Sequence, residues 1–228
     1  MTHSLAATRH PTPPLLRAVN ITAKSGLVLM LLTAVLAPEM SNLEDKAAGT
    51  RAIAYPLLAF AVPTVWWFAW RERASFPWLA DTLITITCFS DILGNRLNFY
   101  DTFAWFDDWM HFVNTGLLAA AWVLLTLHRS ATLPATLERA LSFGATAAIF
   151  WEIGEYFAFI SNHSEKRMAY EDTLSDLGMG VLGVIIAAVT IHACWRHGFL
   201  TSAAPQLEWA QQSETPKRRR PFNDQLQH

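Results

Sequence analysis

Charge and cysteine are both scarce in this chain of 228 residues. Asp, Glu, Lys and Arg make up 16% of it, against about 25% in an ordinary soluble domain. The two cysteines, Cys88 and Cys194, are too few for a disulfide framework, and we expect both to be small packing residues. With a net charge of −2 and no broad basic face, no nucleic-acid partner is expected. These absences favour a membrane protein.

Apolar residues are abundant instead, at 52% of the chain, with ten tryptophans and fourteen phenylalanines. They fall into six segments that each approach the roughly 20 residues a helix needs to cross a bilayer. The segments are 18–36, 52–70, 78–95, 109–127, 140–160 and 173–194. We therefore predict an all-α polytopic membrane bundle of about six transmembrane helices, which occupies residues 18–198 and has membrane lipids around it.

Polar tails flank the predicted bundle. Residues 1–17 and 199–228 show no core-forming pattern, so we expect disordered tails, the second of them basic because of the run at 217–220. The first span is the least regular, since Asn20 and Lys24 interrupt it. A cleaved signal peptide is the rival interpretation of this segment, and an uncleaved span is the preferred one. Asp81, near the cytoplasmic end of the third span, is expected to be a solvated or capping group.

Basic loop residues predict the orientation of the spans. If the N-terminus is cytoplasmic, most basic residues fall in inside segments, as the positive-inside rule requires. The outside loops then hold only Lys46, Arg51, Arg96, Lys166 and Arg167. We predict that both termini are cytoplasmic.

The stretch W-F-D-D-W-M-H at 105–111 places three ionisable side chains at the start of the fourth span. Asp107 precedes His111 by four residues and Asp108 precedes it by three, so either carboxylate can share a helix face with the imidazole. Ionisable groups at a bilayer boundary are costly and need partners, which makes this stretch a candidate site. Taken singly, the two carboxylates can instead complement the helix macrodipole, and His111 can be an interfacial histidine bonded to a loop.

The alternating directions of the last four spans bring further carboxylates to the same outer level. Glu152 is the deepest of them, roughly 12 Å below residue 160 at the rise of an α-helix. We predict that Asp107, His111, Glu152 and Asp176 are ligands or acid–base groups of one site. The side chains predicted to surround it are Asp91, Asp108, Glu155 and Asp172.

Histidine with carboxylates and without cysteine suits a divalent ion such as Mg²⁺, Mn²⁺, Fe²⁺ or Zn²⁺. The candidate metal ligands are Asp107, His111, Glu152 and Asp176. Such a site suits an enzyme that acts on a lipid or lipid-linked molecule near the outer membrane face. Two other interpretations stay open: a proton- or cation-coupled carrier or receptor for a small ligand, and a structural protein whose polar cluster ties helices together. The spacing matches no recognised metal motif, and the sequence determines neither the substrate nor the oligomeric state.

Gly178, Gly180 and Gly183 spell G-x-G-x-x-G inside the sixth span. A dinucleotide site would need a preceding strand and a βαβ unit. Close packing of spans through small residues is therefore the preferred explanation.

Three motifs resemble those of the YjdF-like bacterial inner-membrane proteins, which are uncharacterised: D-D-W-M-H-F at 107–112, W-E-I-G-E at 151–155 and E-D-T-L-S-D at 171–176. A looser resemblance is to VanZ-like proteins, from whose pattern Glu155 and Asp176 depart. The resemblance implies a multi-pass protein of the bacterial inner membrane but no particular reaction. VanZ-like proteins are linked to glycopeptide tolerance, which points to cell-surface lipid or wall chemistry. The residues that the resemblance marks as functional candidates are Asp107, His111, Glu152, Asp172 and Asp176.

Overall fold

The computed structural model describes residues 9–37, 48–158 and 169–208. Within these ranges the extended regular elements are all helices. They are α1, Pro14–Leu36; α2, Ala48–Val65, continued by a π-helical turn at Trp66–Trp70; α3, Trp78–Arg96; α4, Phe99–Thr102; α5, Phe106–Thr126; α6, Leu133–Ala158; and α7, Ala169–Arg196. The prediction of an all-α polytopic membrane bundle is confirmed.

Six of the helices are long, and each coincides with one predicted span. In the described part of the chain, four of them are long and apolar enough to cross a membrane: α1, α2 with its π-helical turn, α5 and α7. The third helix carries Asp81 and Asp91 as buried residues, so its polar side chains face protein. The chain is a multi-pass membrane protein, and the assignment of α3 and α6 as further spans stays a prediction.

The bundle consists of two groups of helices that meet where α3 contacts α5. In one group α1 and α2 pack on α3, and in the other α6 and α7 pack on α5 and on each other. The bundle has two apolar cores, one within the first group and a second that joins α5, α6 and α7 to residues of α2 and α3. Leu27, Ala59 and Ile92 are fully or almost fully buried in the first, and Leu124 and Val184 are fully buried in the second.

The closest approach between helices brings α5 against α7. A Cβ atom on Gly183 would lie 1.9 Å from the carbonyl oxygen of Phe112, and one on Gly180 would lie 3.2 Å from Oγ1 of Thr115. The packing role expected for these two glycines is confirmed. Gly178 takes no part, since a Cβ there would meet nothing within 4 Å.

The polar residues that interrupt the first span are paired with α3. Lys24 Nζ lies 3.0 Å from both carboxylate oxygens of Asp81, and Asn20 Nδ2 donates to Asp81 Oδ2 at 2.9 Å. Asp81 is 1% exposed, so the expectation that it is solvated or capping is wrong. Its partners on α1 compensate the cost of burying its charge. The first helix is therefore bound to the bundle by buried polar contacts.

The described parts of the two chain ends contact each other. His10 Nε2 lies 3.1 Å from Glu208 Oε2, and the Arg9 side chain donates to the carbonyl oxygen of Arg71 at 2.9 Å. Residues 9–13 and 199–208 thus lie at one end of the bundle. The rest of both predicted tails falls outside the described residues, as do Lys46, Lys166, Arg167 and the basic run 217–220.

Replacing Gly183 by alanine should destabilise the protein, because the added methyl group collides with the Phe112 carbonyl oxygen and pushes α5 from α7. Overpacking typically costs about 1–3 kcal/mol, so the midpoint of thermal unfolding in detergent should fall. Gly178→Ala is the matched control on the same helix and should unfold near the wild-type midpoint. Equal midpoints for the two variants would contradict the close packing described for Gly183.

Lys24→Met should lower the free energy of unfolding by about 3–5 kcal/mol, since it leaves the Asp81 carboxylate buried and unpaired. The double variant Lys24→Met/Asp81→Leu removes both charges and should recover most of that loss. Arg17→Met, which removes an exposed cation from the same helix, controls for the change in side-chain type. Unfolding in detergent micelles measures all three, and an unaltered Lys24→Met protein would show that the pair contributes nothing.

Candidate functional site

His111 lies between carboxylates contributed by three helices. Its Nε2 atom is 3.6 Å from Oδ1 of Asp107, one turn earlier on α5, and 3.7 Å from Oδ1 of Asp176 on α7. Its Nδ1 atom is 3.5 Å from Oε1 of Glu152 on α6. The structure thus brings together the four side chains predicted as ligands or acid–base groups. These three nitrogen–oxygen distances are longer than those of an N–H···O hydrogen bond, which are about 2.7–3.2 Å.

The directions of α5, α6 and α7 explain why these four side chains lie close together. Asp107 and His111 are in the first two turns of α5, Glu152 is in the last two turns of α6, and Asp176 follows the start of α7 by two turns. Successive helices connected by loops run in opposite directions, so these three regions share one end of the bundle. The contact at Gly183 then sets how closely the His111 and Asp176 side chains approach.

The site is buried on one side and open on the other. His111, Glu152 and Asp176 are 9%, 6% and 3% exposed, whereas the Asp107 side chain is 44% exposed. Oε1 of Glu152 is buried and has no hydrogen-bond partner in the described structure. Leaving such an oxygen unsatisfied costs about 1–3 kcal/mol, so this atom indicates a missing donor or cation.

Two overlapping sets of ligand atoms share the imidazole. The atoms of Asp107, His111 and Asp176 lie within 4.8 Å of one another, and so do those of His111, Glu152 and Glu155. The two nitrogens of one ring point in different directions, so a single ion uses only one of the sets. Ligands about 2.1 Å from a tetrahedral ion are about 3.4 Å apart. The 3.6 and 3.7 Å separations around Nε2 are close to that value.

The residues predicted to surround the site have three different environments. Glu155 is half-buried and belongs to the second ligand set. Asp108 accepts a hydrogen bond from the Ser175 hydroxyl, which ties the start of α5 to α7. Asp172 is exposed at the start of α7.

Asp91 is held by buried hydrogen-bond partners of its own. Its Oδ2 atom accepts hydrogen bonds from Arg51 Nε at 3.0 Å and from the Tyr55 hydroxyl at 2.6 Å. Its Oδ1 atom accepts one from the Tyr100 hydroxyl at 2.8 Å. Three donors, one of them a cation, therefore satisfy this carboxylate, which was predicted to surround His111.

Arg51, Tyr55 and Tyr100 are the residues that the sequence prediction missed. Arg51 was expected in an outside loop, yet it lies in α2 and is only 7% exposed. Its guanidinium carbon is 5.7 Å from the centre of the Trp151 ring, next to Glu152 in the chain. The signal available was the spacing of four between Arg51 and Tyr55, which places a cation and a hydroxyl on one helix face.

Comparison with protein families shows which family the chain resembles. A family model described as predicted membrane protein (DUF2238) matches residues 24–197, a range that includes every residue of the site. Searches of the curated proteins and of the solved structures found no match. The match is in keeping with the resemblance to YjdF-like proteins, and it does not show the looser resemblance to VanZ-like proteins.

Glu152→Gln should leave the midpoint of thermal unfolding unchanged or raise it, because it removes a buried carboxylate whose Oε1 atom lacks a hydrogen-bond partner while keeping the side-chain shape. Asp91→Asn is the matched comparison and should lower stability by about 3–5 kcal/mol, since it leaves the Arg51 cation buried without its counter-charge. A loss of stability in Glu152→Gln as large as in Asp91→Asn would mean that Glu152 mainly ties helices together.

Proposed function

The chain belongs to the family described as predicted membrane protein (DUF2238), and we propose that it is a metal-dependent membrane enzyme acting on a lipid or lipid-linked substrate. The observation that carries the proposal is the position of His111 Nε2 between the carboxylates of Asp107 and Asp176. One imidazole nitrogen with two carboxylates suits Zn²⁺, Mn²⁺, Fe²⁺ or Mg²⁺. Three protein ligands leave coordination positions for water and substrate.

Glu152 has a different role in this proposal from its three neighbours. A histidine that binds a metal through one nitrogen usually donates the N–H of the other to a carboxylate, which fixes the ring and its tautomer. Glu152 Oε1, buried and without a hydrogen-bond partner, lies 3.5 Å from Nδ1 of His111. We therefore assign Asp107, His111 and Asp176 as the ligands and Glu152 as the carboxylate that orients the imidazole.

The surroundings of the site favour a substrate with an apolar tail. Ile153 and Phe157 on α6 and Leu174 on α7 are exposed apolar side chains at the level of the site. In a membrane these side chains face hydrocarbon, while the exposed part of Asp107 faces polar surroundings. A lipid-linked substrate contacts both regions at once. A bound divalent ion would supply activated water or polarise a phosphoryl oxygen, which suits a hydrolase or transferase.

The proposed site opens to the periplasmic face of the bacterial inner membrane. Both described chain ends lie near the opposite end of α5 from Asp107, since Gln206 Nε2 donates to the carbonyl oxygen of Leu124 at 3.1 Å. The distribution of basic loop residues favours a cytoplasmic location for these ends. Asp107 and His111 then face the periplasm.

Protein purified in detergent should carry about one divalent ion per chain, and Asp107→Asn, His111→Ala and Asp176→Asn should each lose it. Glu152→Gln should keep the site but bind the ion about 10–100-fold more weakly, as expected for a carboxylate behind a ligating histidine. Elemental analysis by mass spectrometry and metal titration measure these effects. Asp108→Asn, which changes the carboxylate next to Asp107, is the matched control and should retain the ion.

Two results would contradict the proposal. One is protein without a stoichiometric ion whose thermal stability does not respond to any added divalent cation. The other is metal binding that survives in Asp107→Asn and Asp176→Asn. Cation or proton uptake into proteoliposomes that is lost in Glu152→Gln would instead identify a coupled carrier.

A further inference from the structure

A cavity lies at the opposite end of the bundle from His111, and we propose that it binds a phosphate group carried by the headgroup of an anionic membrane lipid. The cavity has a volume of about 290 Å³ and is lined by residues 129–133, between α5 and the start of α6, and by His192, Trp195 and Arg196 on α7. Its volume is just below the about 300–1,000 Å³ that small-molecule sites span, which suits a group as small as a phosphate.

The lining of the cavity is basic. Arg129 and Arg196 reach it from the two sides, and no acidic residue is among the residues that line it. Within the part of the chain that the structure describes, neither arginine has an ion-pair partner. Arginine presents several N–H donors in a fixed plane and binds phosphate oxygens in pairs. Two such groups facing one cavity favour an anion with several oxygens.

His192 supplies an independent observation. Its Nδ1 atom is buried and has no hydrogen-bond partner in the described structure, although the side chain lines the cavity. Trp195 and Arg196 follow it by three and four residues, so all three lie on one face of α7. An imidazole in the Nδ1–H tautomer can donate to a ligand oxygen. Because Nδ1 itself is buried in this conformation, donation from it to a phosphate in the cavity requires a rotation of the His192 ring.

The turn that carries Arg129 is held by its own hydrogen bonds. His128 Nδ1 is 2.9 Å from the Ser130 hydroxyl oxygen and accepts a bond from the Ser130 amide at 3.2 Å. The Ala131 amide donates to the His128 carbonyl oxygen at 2.9 Å. These bonds fix the backbone of the turn that carries Arg129, which lowers the entropic cost of ordering the loop on binding.

The location of the cavity favours a lipid over a soluble ligand. It lies where α5 and α7 end and α6 begins, which is the level of the lipid headgroups if these helices span the bilayer. Basic pockets between membrane helices on the cytoplasmic side bind anionic headgroups. This proposal is independent of the His111 site, since the two lie at opposite ends of α5 and α7.

The test uses the full chain in detergent after removal of lipid, with phosphatidylglycerol, phosphatidylcholine and inorganic phosphate as probes. Lipid adducts are counted by native mass spectrometry, and the affinity is taken from titrations. We expect phosphatidylglycerol to bind more tightly than phosphatidylcholine. Arg129→Gln and Arg196→Gln should each weaken phosphatidylglycerol binding about fivefold, and the double variant about 25-fold.

Three variants separate recognition of phosphate from general attraction of charge. Arg17→Gln removes an exposed cation at the same end of the bundle and should bind phosphatidylglycerol as the wild type does. Arg196→Lys keeps the charge but loses the planar donor pair, and should bind phosphatidylglycerol more weakly than the wild type but more tightly than Arg196→Gln. His192→Phe keeps a ring but loses the nitrogen, and should weaken binding without changing the unfolding midpoint in the absence of lipid.

Each outcome decides the proposal. Wild-type affinity in the double variant, or equal binding of the two lipids, would overturn it. If inorganic phosphate displaces phosphatidylglycerol, the cavity recognises the phosphate group, and the lipid is the molecule that carries it. Saturable binding of inorganic phosphate without any bound phosphatidylglycerol would refute the lipid source. If the double variant fails to fold, the single variants and Arg196→Lys decide the question on their own.

Discussion

The contact between α5 and α7 at Gly183 is the constraint on which the candidate site depends. Because nothing larger than hydrogen fits against the Phe112 carbonyl oxygen, the two helices approach as closely as backbones allow. His111 precedes Phe112 by one residue, and Asp176 precedes Gly183 by two turns. Their side chains therefore meet within 3.7 Å. A wider separation would place water between the imidazole and the α7 carboxylate.

Local patterns were sufficient to predict the helices and to place four side chains together. Apolar length identifies a span, and a polar residue within it stands out, so His111, Glu152 and Asp176 were recognisable one at a time. Alternating helix direction then put them at one level. The orientation of the imidazole depends on side-chain rotamers that no spacing encodes. Which carboxylate faces Nε2 and which faces Nδ1 therefore had to come from the structure.

The buried pairs were the part that a single sequence did not reveal. Asp91 is held by Arg51 from 40 residues away, and Asp81 by Lys24 from 57 residues away. A lone carboxylate in an apolar segment looks the same whether it serves a site or has a distant counter-charge. Asp91 was for this reason grouped with His111, and Asp81 was expected to be solvated. The predicted second span began one residue after Arg51. Arg51 was therefore assigned to a loop and was not recognised as the partner of Asp91.

The distance of 57 residues between Lys24 and Asp81 also has a consequence during synthesis. At about 5–20 residues per second, the ribosome adds the carboxylate roughly 3–11 s after the lysine. A newly inserted first helix waits that long without its partner. Lys24 is the eleventh of the 23 residues of α1 and lies about 15 Å from the helix start, which is farther than a lysine side chain extends. The nascent first helix thus carries an ammonium near its middle without the paired carboxylate until the third helix has been made.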